Sequence, residues 1–128
     1  VAHVRAEADR RSVYLIANRN ARLPFMEAFD APTLQTSCPV RESSTHAPQA
    51  LELLNGDLAN EMAAALAARL DRECKGDARS MVARAFQLVV GREPTPRERT
   101  LSLEFLHDQP VREFALAMFN LNGFLYVD

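Results

Sequence analysis

From Pro48 to its end the chain repeats apolar residues at three- and four-residue spacing, and the repeat stops only at residues that punctuate helices. No other feature limits the fold as much. "PQALELLN" ends at Asn55-Gly56, a turn signal. Asp57 is placed to cap the next helix, in which Leu58, Met62, Leu66 and Leu70 recur every fourth residue with Ala63 and Ala67 beside them. Lys75-Gly76 breaks that helix. Asp77 caps another, whose Met81, Val82, Ala85, Phe86, Val89 and Val90 form a wide apolar face closed by Gly91 as C′ residue. "TPRE", residues 95–98, has the form of a capping box: Thr95 at the N-cap, Pro96 at N1, Glu98 at N3. The helix it starts carries Leu101, Phe105 and Leu106. Pro110 opens a last one, with Phe114, Ala117, Met118 and Leu121 on one side.

Upstream of Pro48 the pattern changes. Residues 12–17, "SVYLIA", are β-branched and aromatic and predict a short extended segment. Pro24 opens "PFMEAFD", a short helix. Residues 31–47, rich in Pro, Ser and Thr, predict a long ordered loop. The expected fold is mainly α: a compact bundle of about five or six helices, with that loop and that extended N-terminal segment, in a single domain over residues 1–128. A chain of this length buries roughly two-thirds of its unfolded surface, enough for one core without staples. The closing "GFLYVD" is apolar and must dock on something. The start, "VAHVRAEADR", reads as the middle of something, and a longer parent protein is expected.

A net charge of −2 argues against electrostatic capture of nucleic acid or of an anionic membrane, and Arg10-Arg11 is too short a basic run to alter that. No apolar run approaches the roughly 20 residues of a spanning helix. Residues 78–107 have the outline of a helix-turn-helix, but Glu98 and Glu104 accompany Arg97 and Arg99, so no basic face results. His3, His46 and His107 show no metal-binding spacing, and the haem-attachment string C-x-x-C-H is absent. No metal site and no cofactor is expected in this chain.

The stretch "SCPVRESSTHAPQALELLN", residues 37–55, gathers the polar residues that chemistry would need. Cys38 can act as a nucleophile only with a base such as His46 and an electropositive neighbour such as Arg41, and it precedes Pro39 rather than a helix start. Glu27 and Asp30 stand one helical turn apart, as an acid–base pair would. Architecture accounts for the same residues without a ligand. Thr45 or Ser44 caps the following helix, Gln49 falls in its first turn, and the Arg41 guanidinium suits a carboxylate such as Asp30. Cys38 and Cys74 permit one disulfide.

Several strings together resemble a known family. "RRSVYLIANRNARLPFMEAFDAP" (residues 10–32), "SCPVRESSTHAPQALELLN", "GREPTPRE" and "FNLNGFLYVD" follow the order of motifs in the C-terminal part of the planctomycete-type PSD domain. That bacterial family of unknown function accompanies PSCyt-type and c-type cytochrome modules. The resemblance spans residues 10–128. Gly123 stands where the family usually has Glu, and Phe119 replaces a more usual Leu. The resemblance implies that the chain is the C-terminal fragment of a longer, exported parent protein, periplasmic or extracellular, with haem in neighbouring domains. It marks Arg11, Tyr14, Asp30, Cys38, Arg41, Thr45, Gln49 and Asn55 as recurring positions and assigns them no roles.

The expected role is a non-catalytic helical interaction or structural module whose partners are upstream domains of the same chain. Two other readings compete with it. One is a share in a polysaccharide-degrading enzyme, with Arg41, Asp30 and His46 at a glycan cleft completed upstream. The other is a redox accessory role, through a Cys38–Cys74 bridge or His46 at a neighbouring haem.

Overall fold

Prolines and glycines set the element borders in the computed structural model, which describes residues 12–14, 24–32, 35, 37–40 and 47–126. The chain divides into two units, Val1–Thr45 and His46–Asp128. In the first, Ser12–Tyr14 forms a single 3-10 turn and Pro24–Ala28 a one-turn helix, α1. The extended segment expected over residues 12–17 is thus a turn at 12–14. A lone strand would leave its N–H and C=O groups unpaired, whereas a turn closes some of them locally. Residues 15–17 lie outside the described residues.

α1 ends in a Schellman motif. The N–H of Ala31 donates to the carbonyl of Met26 at 2.9 Å and that of Asp30 to Glu27 at 3.3 Å, with Asp30 at φ 56°. The rings of Phe25 and Phe29 stack across the same turn, 4.8 Å between centroids.

The second unit holds α2 (Ala47–Asn55), α3 (Asp57–Cys74), α4 (Ala78–Val89), α5 (Pro96–Asp108), α6 (Val111–Phe119) and α7 (Asn122–Leu125). No strand occurs among the described residues, and the architecture is mainly α, as the periodicity predicts. Only the single turn α7 exceeds the expected number of helices.

α6 is the central element. It packs chiefly on α3 and also touches α4, α5 and α7. The core joins Leu70 of α3, Met81, Val82, Ala85 and Phe86 of α4, and Phe114 and Met118 of α6. Beside it Ala63, Ala67 and Ala115 form an alanine seam between α3 and α6. Small side chains let two helix backbones approach closely, so the inward face of α3 centres on these alanines and Leu70. Leu58 and Met62, expected in the buried stripe, are exposed instead.

The α2–α3 corner is made by a glycine. Gly56 N–H donates to Glu52 O at 2.8 Å, closing α2, and Gly56 O accepts from Asn60 N–H at 3.1 Å, opening α3. A Cβ at this position would lie 2.4 Å from the Glu52 carbonyl oxygen, so only glycine fits. Gly56 is the N-cap and offers no side-chain acceptor. Asp57, expected to cap, sits one residue later in the first turn and acts there as a negative charge at the positive helix end.

The other borders follow the sequence. α3 stops at Lys75 and Gly76, at φ 52° and 84°. Asp77 accepts from Ser80 N–H at 3.0 Å. Gly91 leaves α4 at φ 77°, and the Phe86 carbonyl accepts from both Val90 and Gly91. Thr95 and Glu98 form the complete capping box. On α5, Leu103 and Leu106 pack on the core, while Leu101 and Phe105 face outward. On α6, Ala115 rather than Ala117 joins Phe114 and Met118 inside. The tail docks in part: Phe124 lies 5.3 Å from the Phe119 ring, and Tyr126 stays exposed.

Candidate functional site

The polar residues of the 30–55 stretch occupy helix ends and loop positions. Asp30 is half-buried at the C′ position of α1. Cys38 is exposed, with Sγ donating to the Val40 carbonyl at 3.2 Å. Arg41, Thr45 and His46, like Arg11, lie outside the described residues. Gln49 is half-buried in the first turn of α2 and Asn55 is exposed at its last residue. Six positions apart on one helix, these two point in different directions. Tyr14 is exposed in its 3-10 turn.

Cys38 and Cys74 are each a free thiol within its own unit, Cys38 in the first and Cys74 in the second. Cys74 packs half-buried on the core cluster, and that burial pushes its thiol up, toward the unreactive protonated form. Among the described residues no three His, Cys, Asp or Glu side chains converge as metal ligands. No helix among them is long and apolar enough to cross a membrane.

Two apolar surfaces of the second unit stand out instead. The first is α2. Of its nine residues only Gln49, Glu52 and Asn55 are polar, and Leu53 alone is buried. Leu51 and Leu54 are 58% and 46% exposed, and Ala47 and Ala50 are exposed beside them. At helical spacing the three polar residues fall within an arc of about 120°, so the exposed leucines and alanines lie on an apolar face, which is normally covered.

Two asparagines missed by the sequence reading hold α2 in place. Asn60 donates to the Gly56 carbonyl at 3.1 Å and accepts from Arg112 Nη2 at 2.7 Å, joining the corner to α6. Asn120 donates to Leu116 O at 2.9 Å and Leu53 O at 3.4 Å. Nothing in the sequence distinguishes them, because the partners that tie them to another helix, the Arg112 side chain and the Leu53 carbonyl, lie 52 and 67 residues away.

The second surface is an open groove of about 210 Å³ where α4, α5 and α6 meet. Buried Phe86, Phe114 and Met118 floor it, and Leu101, Phe105, Ala117 and Leu121 line it further, with Glu98 and Ser102 as its polar groups. A volume below about 300 Å³ suits one or two apolar side chains better than a cofactor.

The groove is headed by "GREPTPRE". Arg92 grips Glu98 through two parallel hydrogen bonds of 2.8 and 2.7 Å, and its guanidinium carbon lies 5.8 Å above the Phe86 ring. Glu98 also accepts from Thr95 N–H at 2.8 Å. These donors, Arg92 first, pull the Glu98 carboxyl from its ordinary 4.5 down to about 2. The α3–α4 side has a similar clamp: Glu73 accepts from Arg69 and Arg84, both at 2.7 Å, and is held low by them. All of these charges are satisfied within the fold, and none is arranged as an acid–base pair around a cavity.

A family model, PSD1, described as a protein of unknown function (DUF1553), matches residues 2–106. No curated protein matches, and no solved structure does.

Proposed function

The chain belongs to the PSD1 (DUF1553) family, and from that premise we propose that residues 46–128 form a non-catalytic helical interaction module. One observation carries this reading. α2 exposes Ala47, Ala50, Leu51 and Leu54 on a helix that buries only Leu53. Its covering partner is the upstream part of the same longer protein. The family resemblance adds that this parent is exported, periplasmic or extracellular, and carries haem in neighbouring cytochrome-like domains.

The test is to mix the 128-residue chain with the separately expressed upstream region and measure association by calorimetry. Binding is expected, and Leu51→Asp with Leu54→Asp is expected to weaken it at least tenfold while helix content stays unchanged. Absence of binding, or binding indifferent to both substitutions, overturns the reading.

A second reading, a share in a glycan-degrading or redox enzyme site, is favoured by Asp30. Its left-handed backbone costs about 1 kcal/mol relative to glycine, yet the residue there is a carboxylic acid. Asp30→Gly keeps the turn and removes the carboxylate. Loss of turnover in the folded full-length parent would support this reading, and unchanged turnover would end it.

A further inference from the structure

The geometry points to α5 as a self-association surface: it pairs antiparallel with α5 of a second copy of the chain, closing the apolar groove in both. This goes beyond the reading above, which concerns α2. Arg97, Leu101, Glu104, Phe105 and Asp108 are all exposed. At helical spacing they fall within an arc of about 100°, so they share one stripe. The stripe has an order: Arg97 at its N-terminal end, Leu101 and Phe105 in the middle with Glu104 beside them at one edge, and Asp108 at its C-terminal end.

That order is complementary to itself when reversed. A two-fold axis beside Ser102 and Leu103 sets Arg97 of each copy opposite Asp108 of the other, and interleaves Leu101 and Phe105 of both over the grooves. Such a face is isologous, the form that closes into a dimer instead of growing into a fibre. Glu104 lies near the axis but at the solvent edge of the stripe, whereas a parallel pairing would set Arg97 beside Arg97 and Asp108 beside Asp108.

The occupancy of these charges fits. Among the described residues Arg97 and Glu104 make no ion pair, and Asp108 meets only the adjacent His107, at 2.8 Å, with both side chains exposed. The other arginines at the head of this helix are by contrast engaged, Arg92 by Glu98 at 2.7 Å and Arg99 by Glu93 at 3.9 Å. α5 contributes no fully buried residue to its own unit, although Leu101 is 55% and Phe105 38% exposed. Apolar side chains of this size, grouped at a groove and rimmed by unengaged charge, mark an interface.

Sedimentation equilibrium of the 128-residue chain from about 10 µM to about 1 mM tests the proposal, a range suited to a small interface. A monomer–dimer equilibrium is expected. Arg97→Glu and Asp108→Arg should each weaken it about tenfold, because each sets like charges opposite one another. The two substitutions together reverse both ends of the stripe and should restore dimerisation to within about threefold. Leu101→Asp should abolish it with circular dichroism unchanged, since that side chain supports little of the monomer. A wild-type chain monomeric throughout overturns the proposal. So does a dimer untouched by Leu101→Asp, or a double exchange that fails to recover. If the upstream region binds a monomeric chain and Leu101→Asp weakens that binding, the groove has another occupant and the proposal also falls.

Discussion

At the scale of the residue, Gly56 has the least freedom to change. Its Cα lies so near the Glu52 carbonyl that any Cβ would overlap it, although the φ of −64° is open to every residue. The requirement is therefore steric and invisible to a reading based on turn preference. The sequence marks Asn55-Gly56 as a turn correctly, but for a reason that is only half the physical one. Gly56→Ala is expected to destabilise the chain by about 1–3 kcal/mol, as crowded contacts do, measured by urea unfolding. A loss below about 0.5 kcal/mol would mean that the corner relaxes freely. Asp57 shows the same limit from the other side. An aspartate before an apolar repeat signals a cap, yet the cap position falls one residue earlier because Gly56 already closes α2. Of the polar residues singled out between 30 and 55, Asp30 has the most fully described backbone position, at the C′ of α1, while its carboxylate is what the second reading tests. Contacts from loop to helix are long-range and cannot be read from spacing.

At the scale of the element, α5 shows both what periodicity reveals and what it conceals. Its start was fully legible, because Thr95, Pro96 and Glu98 act within one turn and need no tertiary context. Its orientation was not. Leu101, Leu103, Phe105 and Leu106 cover more than one side of the helix, so no single face is specified, and packing turns Leu103 and Leu106 inward. In α3 the leucine and methionine repeat drew attention away from Ala63 and Ala67, whose small size is what brings them to the α6 contact. The cap of α5 also carries a pH dependence. Glu98 is depressed to about 2, so the folded state binds its proton more weakly than the unfolded chain does. The stabilisation is complete above the ordinary value of 4.5 and is lost as pH falls toward about 2. Thermal melts across that window should show a fall in Tm that is shallower in Glu98→Gln. Parallel curves for the two proteins would count against the Arg92–Glu98 pair as its source.

At the scale of the whole molecule, the 46–128 unit is built around α6, which packs on α3, α4, α5 and α7. The alanine seam between α3 and α6 has a dynamic result. Dispersion between close-packed methyls falls steeply as surfaces part, and a partial separation too narrow for water gains nothing in return. The two helices should therefore separate all at once and not by gradual fraying, while α2 and α7 open locally and often. In hydrogen exchange followed by mass spectrometry, amides near Ala63–Leu70 and Phe114–Met118 are expected to exchange last and together, at the rate of global unfolding. Early exchange along the seam would contradict this. The same property makes the seam a timekeeper: any partner that grips α2 alone can come and go many times within the lifetime of one intact α3–α6 pair.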